Sequence, residues 1–207
     1  MDTLPIEIVQ IITESIGAYG LIQLHKTCRR LYYFCGPDIL KLAVREMQNS
    51  ALGGHDKNKC LYLHRTVKLC SHMVLSSLLE IKAPLFLADK QGETALHWAA
   101  RKGCEVCVGS LLDAGAAPSI SSDTDWTPLM LAVRFNHVGV VRRLLAAGAE
   151  VNSRGFHGWT PLHLAYRFKL SLMQAVLVSE GGDEKILDND GQRPGEVILK
   201  RRAWGVI

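Results

Sequence analysis

His97 and His163 each follow a Thr by three residues and, taken alone, look catalytic. An enzyme would need more around them: a nucleophile with its base and orienter, a Gly-rich phosphate loop, or paired carboxylates on one helix face. The chain carries none of these sets, so the expectation is no catalysis and no cofactor. Cys104-x-x-Cys107 has the spacing of half a zinc site. No second Cys pair or His pair stands nearby at ligand spacing, so no metal is expected and both sulfurs read as small apolar packing groups. What does recur is binding chemistry. Arg101, Arg134 and Arg167 stand 33 residues apart, with Lys200 continuing the ladder, and Trp126/Trp159 and Phe135/Phe168 form two aromatic columns at the same interval. Trp and Arg dominate binding hot spots. A plainer reading stays open: Arg there is a solvated, helix-favouring residue and the Phe pair packs between helices.

The interval belongs to the whole chain segment that carries these residues. Thr94, Thr127 and Thr160 are 33 apart, as are Leu111, Leu144 and Leu177, and Gly115, Gly148 and Gly181. A period of this size marks stacked helical units. Each unit opens on a Thr, or a Thr-Pro turn, runs through a short apolar helix, breaks, and closes a second helix with Leu-Leu and a left-handed Gly. These glycines follow helices, so they stop them and do not cradle phosphate.

At these residues the sequence resembles the ankyrin family. Asp89, Gly92, Thr94, Leu96, His97, Ala99, Ala100, Gly103, Leu111, Leu112, Gly115 and Ala116 match its pattern in one copy; Thr127-Pro128-Leu129 through Asn152, and Gly158 through Gly181, repeat it. The resemblance implies an all-α solenoid of helix-turn-helix units with short β-hairpin tips, with His97 and His163 tying turns rather than reacting. It also implies a protein-binding groove lined from tips and first helices. Arg101, Trp126, Arg134, Phe135, Trp159, Arg167 and Phe168 fall on that groove.

Stepping back one period lands on Leu63-His64 and Leu78-Leu79, which predicts a degenerate unit over 59–88 ahead of full units at 89–121, 122–154 and 155–187. A truncated cap at 188–207, with polar Lys200-Arg201-Arg202, completes the repeat domain 59–207. Solenoid ends need such atypical units. Three departures carry expectations. Gly103 occupies a left-handed turn position whose equivalents are Asn136 and Lys169, and Lys tolerates it only at about 1 kcal/mol. The inter-helix turn of the third full unit is therefore expected to be looser. Asp125 in place of the tip Gly, and Gly155 in place of the tip Asp, predict irregular tips in the second and third units.

Residues 1–48 do not share the period. Leu4-Pro5-Ile6-Glu7, an apolar helix through Ile12, a second set at Leu21, Ile22 and Leu24, and Cys28-Arg29-Arg30-Leu31 resemble the F-box. Tyr19-Gly20 and Leu31-Tyr32 depart from that motif's common acidic and Trp positions. The resemblance implies that Leu4, Pro5, Ile8, Leu21 and Leu24 contact a Skp-type adaptor; the alternative is a helical cap on the repeats. Residues 49–58, NSALGGHDKN, read as a linker.

Composition sets outer bounds. The 207 residues are 48% hydrophobic, with a net charge of +4 held entirely after residue 58, where eighteen basic residues face fourteen acidic ones. That excess is thinner than a nucleic-acid binder usually shows. The N-terminus lacks a secretory pattern, and no uncharged apolar run reaches about 18 residues. The expectation is an intracellular protein, cytoplasmic or nuclear, with its six cysteines as thiols. An N-terminal F-box followed by ankyrin repeats looks like proteins common in filamentous fungi. It implies a substrate-receptor subunit of a cullin–RING ubiquitin ligase, with an ankyrin scaffold lacking any ligase role as the alternative.

Overall fold

A computed structural model describes residues 61–68, 72–80 and 82–196. The F-box-like region with Leu4, Pro5, Ile8, Leu21 and Leu24, the linker 49–58 and Lys200 of the Arg ladder lie outside the described residues. The chain divides into two compact units, Met1–Leu85 and Phe86–Ile207.

In the first unit, α1 (Leu61–Lys68) packs on α2 (His72–Glu80). Leu63, Val67, Leu75 and Leu78 are buried. The chain leaves α2 through Lys82 at φ 57°, with the Lys82 amide donating to Leu79 O at 2.9 Å and the Ala83 amide to Leu78 O at 3.0 Å. One period on, Gly115 at φ 93° and Ala116 make the same pair of bonds to Leu112 and Leu111, each at 2.9 Å. The stop is therefore the same geometry, held by Lys in one copy and by Gly in the next.

Among the described residues the second unit holds three helical hairpins: α3 (Ala95–Lys102) with α4 (Glu105–Asp113), α5 (Pro128–Arg134) with α6 (Val138–Ala146), and α7 (Pro161–Arg167) with α8 (Ser171–Ser179). The first helices stack α3 on α5 on α7, and α4 packs on α6. Pro fits at the head of α5 and α7 because a first-turn amide has no intrahelical acceptor to lose. Thr127 Oγ1 accepts the Met130 amide at 3.2 Å, and Thr160 Oγ1 accepts the His163 amide at 3.4 Å. Leu96, Leu129 and Leu162 are fully buried beside Ala99, Ala132 and Ala165. The small Ala side chains let the helices close up, and each buried Leu contributes about 1.5–3 kcal/mol.

Between hairpins the chain makes a tip. The four tips, opening at Asp89, Ser122, Gly155 and Asp188, close with the same backbone bonds: the first residue's amide to the fifth residue's carbonyl at 2.8–2.9 Å, and the fourth residue's amide to the first residue's carbonyl at 2.8–3.2 Å. Among the described residues there is no named strand, and Ala88 and Thr94 form an isolated antiparallel bridge. The second tip is regular, against expectation: Asp125 takes φ 57°, where Gly92 has φ 72°, and Ser122 Oγ replaces the Asp carboxylate as acceptor for the Thr124 and Trp126 amides. The third tip does depart, with a 3-10 turn over Phe156–Gly158 and His157 at φ 59°.

The looser turn expected at Lys169 is also corrected. Lys169 sits at φ 55° and donates to Tyr166 O at 3.0 Å, with Leu170 donating to Ala165 O at 2.9 Å. Gly103 and Cys104 make the equivalent bonds at 3.3 and 3.2 Å. The two main-chain bonds and the burial of Leu164 and Met173 on either side hold Lys in a conformation it does not favour alone.

Candidate interaction face and the joints behind it

The tip and the first helix of each unit meet through one pair of side chains. Trp126, at the fifth tip position, lies under the Arg134 guanidinium, 5.2 Å from the ring centroid, and Trp159 lies under Arg167 at 5.4 Å. Arg134 is also 5.8 Å from the Phe135 ring. A guanidinium over an indole is attracted by the ring's negative face. Phe135 and Phe168 are 45% and 44% exposed, because each is the C-cap of its helix and points away from the buried Leu face. They do not pack between helices, as the plainer reading had it.

The first full unit breaks the ladder. Its fifth tip position is Glu93, and Glu93 Oε1 accepts from Arg101 Nη2. Arg101 thus spends its charge inside the chain, and its Nε is buried with no acceptor. It also lies 5.7 Å from the Trp98 ring. Trp98 in turn donates from Nε1 to Asp89 Oδ2 at 2.9 Å. Of the three arginines predicted to line one face, Arg101 is paired with an acidic side chain, whereas Arg134 and Arg167 have no ion pair among the described residues. The repeat register places Glu93 on the same groove, at the fifth tip position, but sequence reasoning did not pair it with Arg101, and it passed over Trp98. The signal for Glu93 was present: it precedes Arg101 by the same eight residues that separate Trp126 from Arg134.

Behind this face the histidines act as fasteners. His97 Nδ1 accepts the Thr94 amide at 3.0 Å, so the proton sits on Nε2, which donates to the Trp126 carbonyl of the next unit at 2.9 Å. His163 repeats this with Thr160 at 3.1 Å and the Gln192 carbonyl at 3.1 Å. Both rings are fully buried. Burial pushes the His97 imidazole down to about 4 and lowers His163, because a charged ring would lose its hydration. A neutral ring sealed between backbone groups positions its neighbours, and Trp126 is one of them. His137, the N-cap of α6, adds a bond from Nε2 to Arg101 O at 3.0 Å.

Family models match this part of the chain: one described as "Ankyrin repeat" over residues 91–123, and one as "Ankyrin repeats (many copies)" over residues 111–165. Residues 91–165 form ankyrin repeats. No curated protein matches the chain. Ankyrin repeats make this segment a protein-interaction module, in an all-α solenoid, and the Trp-Arg pairs lie on the tip and first-helix positions of the ankyrin units. Among the described residues no helix is long and apolar enough to cross a membrane.

Proposed function

We propose that the ankyrin segment holds a protein partner through Trp126, Arg134, Phe135, Trp159, Arg167 and Phe168, and that the partner presents acidic groups beside a large apolar anchor. The observation that carries this reading is the repeated stack of Arg134 on Trp126 and Arg167 on Trp159. One ankyrin unit separates the two, roughly 10 Å. Each planar guanidinium, held over its ring, offers paired N–H groups to a carboxylate, and the exposed Phe135 and Phe168 supply apolar contact alongside. Arg101 stands outside the set because its guanidinium is already paired with Glu93.

A synthetic peptide alternating Glu with Leu tests this face on the full chain, with a Lys-Leu peptide as the opposite-charge probe. The acidic peptide binds and the basic one does not. Trp126→Ala and Trp159→Ala each weaken it by about 2 kcal/mol or more, Arg134→Ala and Arg167→Ala mainly slow association, and Arg142→Ala on the second helix changes nothing. Equal and negligible losses at all five positions would show ordinary solvated surface.

The wider role proposed for the chain is that of a substrate receptor, with residues 1–48 docking on a Skp-type adaptor and the ankyrin face presenting the protein to be ubiquitylated. Its support is the Leu4-Pro5-Ile6-Glu7 to Cys28-Arg29-Arg30-Leu31 pattern. Co-expressed with the adaptor, the chain elutes as a complex that Leu4→Ala/Pro5→Ala destroys while repeat unfolding is unchanged. Separate elution of the wild-type chain leaves the ankyrin scaffold as the reading to keep.

A further inference from the structure

The core-packing reading of the cysteine pair accounts for Cys107, which is wholly buried, but not for Cys104. Cys104 is half-exposed and is the N-cap of α4, with its Sγ accepting the Cys107 amide at 3.4 Å. The repeat does not need a thiol at either place. The equivalent N-caps are His137 and Leu170, and the equivalents of Cys107 are Val140 and Met173, both buried. Among the described residues this unit alone sets two thiols against each other, with their sulfurs 2.7 Å apart. A disulfide bond is about 2.05 Å long, so closing the gap moves each sulfur by a few tenths of an ångström.

We propose that Cys104 and Cys107 are a redox modification site, a vicinal thiol pair that closes to an intramolecular disulfide across the first turn of α4. The geometry assigns the order of events. Cys104, the more exposed of the two, loses its proton to water and attacks one sulfur of a small-molecule disulfide such as oxidised glutathione. The S–S bond of the reagent breaks and one glutathione thiolate leaves. Cys107, screened from the reagent, loses its proton and attacks the Cys104 sulfur, and the second glutathione departs as the thiol. Two protein thiols are oxidised by two electrons, one glutathione disulfide is reduced to two thiols, and the two protons end on those thiols through solvent. The product staples the N-cap to the first turn, next to the Arg101 carbonyl that His137 grips from the following unit.

Peptide mapping of the full chain tests this directly. The reduced protein is treated with oxidised glutathione, quenched in acid, alkylated and cut with trypsin without reduction. Cleavage after Lys102 and Arg134 leaves residues 103–134, which contain Cys104 and Cys107 and no other cysteine. The expected peptide is unalkylated and lighter by two hydrogens, and dithiothreitol restores two alkylations. Cys107→Ser halts the reaction at a glutathione adduct on Cys104. A doubly alkylated wild-type peptide, a persistent wild-type adduct on Cys104, or a cross-link from either cysteine to another peptide overturns the proposal. The same treatment in urea needs no variant to fold: closure there is expected to be at least about tenfold slower, and equal closure would assign the bond to sequence spacing and overturn the folded site.

Discussion

The joint between units 89–121 and 122–154 and the joint between 122–154 and 155–187 bury the same kind of helix face but are fastened differently on the tip side. The first is tied on the tip side by His97 to Trp126 O, by His137 to Arg101 O and by the Asp123 amide to Gln91 O at 3.0 Å. In the second, the residue in the place of His97 is Met130, whose thioether cannot donate, and the residue in the place of His137 is Leu170. Met130 instead fills its space with carbon and sulfur and reaches Gly155, where an added Cβ would lie 2.6 Å from the Met130 sulfur. The polar tie of this joint is at the far end, where both joints have one. In the first, Ser119 Oγ accepts the Glu150 amide at 2.9 Å. In the second, Asn152 stands in the place of Ser119, its Nδ2 donating to Gly181 O at 3.0 Å and its Oδ1 accepting the Asp183 amide at 2.8 Å. Helix α5 also packs less extensively on α7 than α3 does on α5. One repeat pattern thus builds two joints, one held by hydrogen bonds at the tips and one by apolar contact there. Trp126 sits on the first kind and Trp159 on the second.

Removing packing that both joints share has the largest effect. Leu129→Ala and Leu162→Ala should each lower stability by about 2–5 kcal/mol in chemical denaturation; a loss below 1 kcal/mol at both would mean the first-helix layer does not carry the stack. Acid comes next and acts on the histidine ties. His97 is held neutral with its pKa near 4, whereas the unfolded chain titrates near its ordinary 6.5. Between those values the unfolded state binds the extra proton, so stability is full above about pH 6.5 and declines as pH falls toward 4. The loss at pH 5 is about 2 kcal/mol for His97, and His163 adds to it in the same direction. His97→Gln should flatten this part of the pH profile, and an unchanged profile would remove His97 as its source.

Met130→His sharpens the contrast by rebuilding the missing tie. Its Nε2 would meet the Trp159 carbonyl as His97 meets Trp126 O, with an expected gain of about 1 kcal/mol at pH 8 and a steeper loss below pH 6.5. A destabilised variant at pH 8 would mean that the Met130–Gly155 contact outweighs the hydrogen bond. The smallest effect belongs to Lys169→Gly, where relief of the positive φ should add about 0.5–1 kcal/mol. No change there would show that the turn's two backbone bonds already offset the strain.

What was legible in the sequence was whatever one residue type does by itself. Thr-Pro marks a helix start because of its missing donor and its hydroxyl, and Gly115, Gly148 and Gly181 mark stops because φ of 85–93° suits Gly. The Asn136 and Lys169 turns could be placed for the same reason, by register. What stayed hidden depends on pairs. Glu93 neutralises Arg101 only because a tip and a helix end bring them together, and the ladder could not show which rung was already occupied. Asp125 and Lys169 keep regular turns because surrounding bonds override a local preference worth about 1 kcal/mol. Cys104 resembled Cys107 in type, and their difference in exposure exists only once α4 is capped.

The four tips close with the same two main-chain bonds although they open on Asp, Ser, Gly and Asp. The frame of a tip is therefore written in backbone, and its side chains are a replaceable cassette. For a binding protein this separates two kinds of mutation. Changes at the Thr, Leu and His of the first helices alter whether the array stands, whereas on the proposed reading changes at the second, third and fifth tip positions would alter what it holds, so that specificity could drift under selection while the scaffold stays constant.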